Sequence, residues 1–414
     1  MKRRGFLKLA AAAASVGLSK SSPLLARPLR ATSTEARLVQ APAIVTSPND
    51  RPLITHGVAS GDVSAGRAVI WSRGDRPARM FVEYATTDRF TNARRVRGPA
   101  GLDTSDFTTR LVLTDLPAGQ RVFYRVLYQD LSDLRAWSDP ATGSFTTPSV
   151  TGGDVSIAWS ADTVGQGWGI NPERGGLKLY ETMLQKQPDI FINVGDTIYA
   201  DQPLEAEVRL DDGTMWKNQV TPAKSKVAET LADYRGCHQY NLMDDHLRRF
   251  GAAVSQIVMW DDHEVVDNWY WERRKDADPR YSVKSVSLLA ARARQAFFDY
   301  NPLPLFADDS ERLYRSVSLG PLVDVFALDM RTFHGANSEN RQSTLDAASS
   351  LLGPSQLEWL KSGLKSSRAT WKIIAADLPL GLVVPDGATH FEAVANDDSG
   401  RPLGRELEIA NLLS

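Results

Sequence analysis

The sequence predicts an α/β fold class in which an all-β segment precedes an α/β segment. One reason is length, because 414 residues exceed one ordinary domain and suit two or three. A second is a series of short β-rich runs, separated by turn residues, over residues 41–148. A third is the alternation of apolar runs with helical patterns over residues 154–414, which indicates a largely parallel or mixed sheet covered on both faces.

Residues 1–30 have the pattern of an export signal. Lys2, Arg3 and Arg4 precede a short, Ala-rich apolar stretch that gives way to a Ser/Pro segment near Ala26. This stretch is too short to span a bilayer, so no transmembrane segment is expected. Arg3-Arg4 followed by Gly-Phe-Leu-Lys resembles a twin-arginine signal peptide. We therefore expect the twin-arginine translocation machinery to deliver the chain to the periplasm or the exterior.

The all-β segment, residues 41–148, has strand-like runs at intervals suited to a β-sandwich. The predicted strands are 67–72, 79–85, 108–113, 121–128 and 143–146. Residues 113–126 resemble the turn and penultimate strand of fibronectin type III domains. No cluster of acid–base residues occurs in this part of the sequence, so a packing or lid role is favoured over a catalytic one. Pro, Ser, Thr and Gly concentrate over 147–153 and indicate the boundary.

The second segment, residues 154–414, contains short, continuous apolar runs typical of buried strands. The predicted strands are 155–160, 190–194, 256–260, 323–328 and 371–376. A helical pattern over 176–187 lies between the first two, which predicts a βαβ unit. A second amphipathic helix is predicted over 281–300.

Acidic residues follow every one of these strands. They are Asp162, Asp196 after Gly195, the run Asp261-Asp262-His263-Glu264, Asp329 and Asp377. In an open α/β sheet the carboxyl ends of the strands form the binding crevice, so these groups are expected to converge. Clustered carboxylates repel one another unless cations lie between them, which predicts a metal site. For Asp329 and Asp377 we favour the simpler interpretation of helix N-caps.

Two motifs carry the candidate chemistry. Asp196, at the end of its strand, can bridge two metal ions, and Tyr199 can add a phenolate, although packing beneath the loop is an equal alternative for Tyr199. Asp262 can supply an oxygen ligand, while His263 can protonate a leaving oxygen or hydrogen-bond a phosphoryl oxygen. Composition excludes another class of partner: 48 Lys and Arg against 50 Asp and Glu give a net charge of −2, so nucleic acid is not expected as a stable partner. The chain is expected to act as a monomer.

Four segments together resemble the PhoD-like alkaline phosphatases of the calcineurin-like metallophosphoesterase superfamily. They are residues 55–62 (T-H-G-V-A-S-G-D), 68–73 (A-V-I-W-S-R), 195–199 (G-D-T-I-Y) and 260–264 (W-D-D-H-E). The order of Asp162, Asp196 and then Asp262-His263-Glu264 is also similar to the superfamily series D-x-H, G-D, G-N-H-[DE], with Asp in place of Asn. The resemblance covers nearly the whole chain.

The resemblance implies a calcineurin-like αββα metallophosphoesterase sandwich preceded by a fibronectin type III-like domain. It also implies an exported phosphoric-ester hydrolase, an alkaline phosphatase or phosphodiesterase, that uses a water activated by two metal ions. The resemblance implies that Asp196 bridges the two metals, that Asp162 and Tyr199 bind one of them, and that Asp262 binds the other. Asp262 and His263 are then catalytic, and His263 contacts the phosphate. The expected metals are Ca²⁺ with Fe³⁺ or another transition metal, and the expected substrate is a small-molecule phosphate ester.

Asn268 and Arg331 are candidate substrate-binding residues. The guanidinium of an arginine can hold a phosphate by two hydrogen bonds, and an asparagine amide can donate one. For each residue, a surface or structural pairing is the favoured alternative.

Two features depart from the family pattern. Asp162 stands where the family's iron site commonly has Cys, which favours a harder or more exchangeable ion than ferric iron. The family's site also ends with a later Asp-x-His segment, and neither His334 nor His390 lies in one. We therefore expect the C-terminal part of the domain to be missing, with weak metal binding and little turnover by these 414 residues. The alternative hypothesis is a noncatalytic truncated relative that binds a ligand or a surface.

Overall fold

The computed structural model describes residues 50–414. The signal predicted over residues 1–30 and the first residues of the predicted all-β segment lie outside the described residues. The strands are β1 (Ile54–Ser64), β2 (Arg67–Gly74), β3 (Ala78–Ala85), β4 (Arg94–Gly101), β5 (Thr108–Leu113), β6 (Arg121–Asp130), β7 (Ala141–Thr146), β8 (Ile157–Ser160), β9 (Ile190–Asn193), β10 (Glu207–Arg209), β11 (Met215–Lys217), β12 (Ser255–Val258), β13 (Arg315–Ser318), β14 (Val323–Ala327), β15 (Trp371–Ala375), β16 (Pro385–Asp386) and β17 (His390–Phe391). The α-helices are α1 (Lys178–Gln185), α2 (Leu231–Asn241), α3 (Asp245–Ala253), α4 (Val286–Tyr300), α5 (Gly353–Ser366) and α6 (Glu406–Leu413).

The N-terminal strands form two packed β-layers. One layer is the antiparallel sheet β4-β3-β6-β7, and the other contains β5, β2 and β1. Along β6 the side chains alternate between buried and partly exposed, as expected of a strand with one face in a core. Val58 of β1, Ile70 of β2, Met80 of β3 and Tyr124 of β6 share one hydrophobic cluster, so the core lies between the layers. The five strands predicted in this segment are confirmed.

The two segments of the chain share a sheet. Strands β8, β9 and β12 are parallel neighbours, and β12 also pairs in parallel with β1 through Gln256 and Gly61. The resulting six-stranded mixed sheet has the order β5-β2-β1-β12-β9-β8. The predicted parallel pairing of β8 and β9 around α1 is confirmed.

The α/β segment is built in four layers, with helices outside two sheets. Ile190 and Ile192 of β9 face the three-stranded sheet β13-β14-β15 and share a cluster with Val325 of β14. Phe191, between them, points to the opposite face and packs against Tyr180 of α1. On the far side, Phe326 of β14 contacts Trp359 of α5. Strands buried on both faces explain why their sequences read as continuous apolar runs.

A buried ion pair ties the two sheets together. Arg315 of β13 donates to both carboxylate oxygens of Asp62 in β1, at 2.5 and 2.9 Å. Both side chains are less than one-tenth exposed. The T-H-G-V-A-S-G-D motif thus ends in a structural contact.

Helix boundaries follow the capping residues. The helix predicted over 281–300 begins only at Val286, because the Ser285 side chain accepts a hydrogen bond from the Leu288 backbone N–H and caps it. Among the helices of residues 50–414, none combines the length and apolar character that crossing a bilayer requires.

Candidate metal centre

Three strand ends bring the candidate residues to one edge of the six-stranded sheet. The register pairs Ser160 of β8 with Asn193 of β9, and Asn193 with Val258 of β12. Because the three strands are parallel, the segments that follow them leave the sheet on the same side. Asp162, Asp196 and the run 261–264 therefore lie together, as the sequence predicts.

The centre of the site is formed by Asp196, Asp262 and His263. One ligand atom from each lies within 4.8 Å of the other two, and all three residues are buried. The backbone N–H of His263 donates to Asp196 Oδ1 at 3.1 Å, and the N–H of Asn268 donates to Asp262 Oδ2 at 2.6 Å. These bonds hold the carboxylates in place and leave their other oxygens free to bind a cation.

The backbone at the end of β9 turns sharply to present Asp196. Gly195 has a φ of +119°, and Asp196 itself has a φ of +51°. A Cβ atom on Gly195 would lie 2.5 Å from the Cβ of Asp261. Both the left-handed conformation and the close approach of the neighbouring loop therefore require glycine at this position.

The carboxylates of the cluster lie close enough together to disfavour one another's negative charge. Burial raises the pKa of Asp196 well above its ordinary value, and the carboxylates of Asp261 and Asp262 raise it further. The two buried carboxylates supply oxygen donors that divalent cations accept, and His263 lies beside them with Nε2 towards Asp262. The residues present therefore fit a metal ion, which would supply the charge that the carboxylates need.

Asp201 pairs with His263 and was not singled out in the sequence. His263 Nδ1 lies 2.8 Å from Asp201 Oδ1, while Nε2 points towards Asp262, 3.9 Å from Oδ1. The other oxygen of Asp201 accepts the N–H of Asp267 at 2.9 Å. Burial alone would lower the pKa of His263, but the Asp201 hydrogen bond and the Asp262 carboxylate outweigh it and raise this pKa to about 10. The pair fixes which imidazole nitrogen faces the centre.

Tyr199 and Asp162 lie beside the cluster. The Tyr199 ring stacks on His263, with centroids 4.2 Å apart and planes inclined by 25°. Its hydroxyl donates to Asp162 Oδ1. Burial and the Asp196 carboxylate raise the pKa of Tyr199, so the phenol is protonated in this arrangement. Tyr199 thus combines both expected features, a packed ring and an oxygen directed to the predicted ligand Asp162.

Glu264 connects the two central loops. One of its oxygens accepts from the backbone N–H and the hydroxyl of Thr197, at 2.5 and 2.6 Å. The other accepts from the N–H of Asp261 at 2.8 Å. The side chain is buried, so its role is to hold the loop after β9 against the loop after β12.

Arg331 and Asn268 contact a second group of carboxylates. The Arg331 side chain is 1% exposed. It donates from Nε to Asp261 Oδ1 at 2.5 Å and also pairs with Glu392 and Asp377. The Asn268 amide, oriented to satisfy both its groups, donates to Glu392 at 3.0 Å. These contacts are structural pairings of the kind favoured for both residues, and a role of either residue in substrate binding stays a prediction.

The N-cap interpretation of Asp329 and Asp377 is wrong, since no helix in residues 50–414 begins at either position. Asp329 instead stabilises a turn. Its Oδ1 accepts from the indole N–H of Trp260 and from the N–H of Thr332, both at 2.9 Å. Asp377 lies beside Arg331.

Comparison with known proteins agrees with this geometry. A model of the PhoD-like phosphatase family matches residues 157–414, and a model of the N-terminal domain of PhoD-like phosphatases matches residues 39–149. Alkaline phosphatase D of Bacillus subtilis (strain 168) is 30% identical over 215 residues, which are 50% of this chain and 35% of that protein. The chain thus spans about a third of the length of this relative.

Solved structures show the same fold. The structure of PhoD is 23% identical in sequence and has a TM-score of 0.67. The match covers 87% of this chain and 69% of the PhoD chain. The purple acid phosphatase PPD1 from yellow lupin (Lupinus luteus) seeds is 13% identical and has a TM-score of 0.52. The match covers 87% of this chain and 56% of the lupin chain. Since the first of the two family models alone spans more than half of the sequence, the chain belongs to the PhoD-like phosphatase family.

Proposed function

We propose that this protein is a metal-dependent phosphoric-ester hydrolase. The observation that carries the proposal is the convergence of Asp196, Asp262 and His263 from two parallel strand ends within 4.8 Å. Membership of the PhoD-like phosphatase family and the name of the Bacillus subtilis relative, alkaline phosphatase D, support it. The substrate is then a small-molecule phosphate ester, either a monoester or a diester.

The residues of this chain have distinct tasks in the proposed reaction. Asp196 and Asp262 hold the metals, with Asp162 and Tyr199 on the side of Asp196. Bound metal ions supply an activated water and positive charge against the phosphoryl oxygens. His263 keeps a proton on Nε2, from where it can hydrogen-bond a phosphoryl oxygen or protonate the leaving group. Asp201 keeps the imidazole in that orientation.

The metal identities and the location are part of the proposal. Carboxylate and phenol oxygens suit Ca²⁺ with Fe³⁺ or another transition metal, and Asp162 in place of Cys favours an exchangeable ion. Arg3-Arg4 supports export by the twin-arginine route to the periplasm or the exterior. The N-terminal β-layers support a fibronectin type III-like domain, one layer of which continues into the sheet of the hydrolase segment.

The test compares Asp196→Asn with Asp211→Asn, a matched change at an exposed position in the turn between β10 and β11. Each protein is loaded with Ca²⁺, Mn²⁺ or Fe³⁺, its metal content is measured, and phosphate release from an aryl phosphate is followed. We expect Asp211→Asn to match the parent protein in metal content and in phosphate release, and Asp196→Asn to fall below the parent in both. Metal binding without phosphate release would favour the noncatalytic alternative.

A further inference from the structure

One wall of the metal centre is a glycine-rich loop, residues 163–169. The backbone N–H of Thr163 donates to the carbonyl oxygen of Asp196 at 2.8 Å, so the loop begins at the centre itself. Gly165 lies against the ring of Tyr199, and a Cβ atom on Gly165 would stand only 2.4 Å from that ring. The absence of a side chain on Gly165 therefore allows the loop to cover Tyr199 closely.

A hairpin holds this loop in place. The hairpin is formed by β10 and β11, and Asn218 follows it. The Asn218 side-chain oxygen accepts from the N–H of Gly169 at 2.7 Å and from the indole N–H of Trp216 at 2.9 Å. Its amide group donates to the carbonyl oxygen of Gly167 at 2.8 Å. A single side chain thus fixes the loop to the hairpin at two points, Gly167 and Gly169, and is itself held by Trp216 of the hairpin.

Trp168 is the prominent side chain on this wall. Its backbone N–H donates to the carbonyl oxygen of Gly165 at 3.0 Å, so a single turn separates it from the residue that touches Tyr199. Its indole meets the ring of Trp216 edge to face, with centroids 5.8 Å apart and planes at 87°. The side chain is nevertheless 38% exposed. The hairpin holds Trp168 while much of its surface remains open to solvent, one turn along the chain from the glycine that covers Tyr199.

We propose that Trp168 determines specificity by contacting the organic part of the substrate, so that the site prefers phosphate esters with a planar aromatic group. The inference rests on the proposed function and adds a substrate class to it. A preorganised indole offers an apolar face for stacking at little entropic cost, because Trp216 and Asn218 already hold the loop. One aromatic contact of this kind corresponds to about a two- to tenfold difference in affinity.

The test is equilibrium binding of phenylphosphonate and methylphosphonate, two ligands that contain no ester bond to cleave. Calorimetry on the metal-loaded full chain compares the parent protein with Trp168→Ala, Trp168→Phe and Trp371→Ala. Trp371 is the matched control, since it is 67% exposed on the edge strand β15. We expect the parent, Trp168→Phe and Trp371→Ala to prefer phenylphosphonate about two- to tenfold, and Trp168→Ala to lose the preference.

Three results overturn the inference. They are a preference that persists in Trp168→Ala, a parent protein without any preference, and a parent that binds neither phosphonate. Because binding requires no turnover, the comparison is independent of whether the protein releases phosphate from an aryl phosphate. Turnover without aromatic preference would leave the proposed function standing and remove only the role of Trp168. Limited proteolysis of each variant checks that the loop and the hairpin remain folded.

Discussion

At the scale of single residues, Asp201 shows that the candidate centre depends on a side chain outside the metal-binding set. Its carboxylate holds His263 Nδ1 at 2.8 Å and the Asp267 N–H at 2.9 Å. His263 is further confined by the Tyr199 ring stacked on it. The imidazole is therefore fixed by one hydrogen bond and one stacking contact, and only Nε2 faces the centre.

Replacing Asp201 by Asn should lower kcat/KM about ten- to hundredfold with metal content unchanged, because residues that orient a site's ligands typically have effects of this size. Loss of the carboxylate charge should also lower the pKa of His263 from about 10. A proton donor loses its proton as the pH rises through its pKa, so the alkaline limb of the pH–rate profile should move to lower pH. Asp211→Asn is the control. If the alkaline limb of the pH–rate profile of Asp201→Asn stayed where it is in the parent protein, Asp201 would not have the proposed role of positioning His263.

At the scale of elements, the turn that follows β9 is the most constrained connection in the site. Gly195 combines a positive φ with a close approach to Asp261, and the next residue is the candidate bridging ligand. Any side chain on Gly195 must displace either the loop after β9 or the loop after β12.

Gly195→Ala should therefore lower the free energy of unfolding by more than the roughly 1–2 kcal/mol that a left-handed alanine costs, and should reduce metal binding. Gly387→Ala is the matched control, since Gly387 also has a positive φ, of +85°, but no atom lies within 4 Å of the position that a Cβ atom would take there. Urea unfolding measures the free energy of unfolding of both variants, and metal analysis measures how much metal each one binds. Equal losses in the two proteins would show that the contact with Asp261 has no effect.

The elements also show which features a sequence reveals. Strands such as β9 and β12 were predictable because burial on both faces leaves a continuous apolar run. Strands β1 and β4 were not, since β1 mixes Gly and Ser with its apolar residues and β4 carries three arginines and a proline. The ligand candidates were predictable from their position after strands. Asp201 was not, because its partner His263 lies 62 residues away and only the folded chain brings them together.

At the scale of the whole molecule, buried neutral histidines couple stability to pH. His238 is 6% exposed, and within the described chain its Nε2 has no hydrogen-bond partner. Burial lowers the pKa of His238 to about 3, whereas an unfolded histidine has a pKa of about 6.5. Below about pH 6.5 the unfolded chain therefore binds a proton that the folded protein excludes, and stability is lost as the pH falls towards 3.

His238→Phe should weaken this pH dependence, by up to about 1.4 kcal/mol for each pH unit below 6.5. Phenylalanine retains a ring to stack on Tyr300, which lies 5.5 Å from the histidine ring and inclined by 6°. Urea unfolding at pH 7.5, 6 and 5 measures the effect. If the free energy of unfolding depended on pH identically in the variant and the parent protein, His238 would not be a source of the pH dependence.

The ion pair between Asp62 and Arg315 should be essential for joining the sheets. Arg315→Met leaves the Asp62 carboxylate buried without its partner and should cost about 3–5 kcal/mol. The double variant Asp62→Asn with Arg315→Met removes the uncompensated charge and should recover part of that loss. Denaturation midpoints of the single and double variants measure the loss of stability and its partial recovery. A double variant less stable than Arg315→Met alone would contradict the expected recovery.

The sheet shared by the two segments affects how the chain is made. Gly61 finds its parallel partner, Gln256, only after the chain as far as residue 256 has left the ribosome. Until then one edge of β1 presents unpaired N–H and C=O groups, which invite pairing with the wrong strand. The sandwich therefore gains this last strand pairing only after β12 has been made. A protein that began at residue 150 would in turn expose the edge of β12 and should be prone to aggregation.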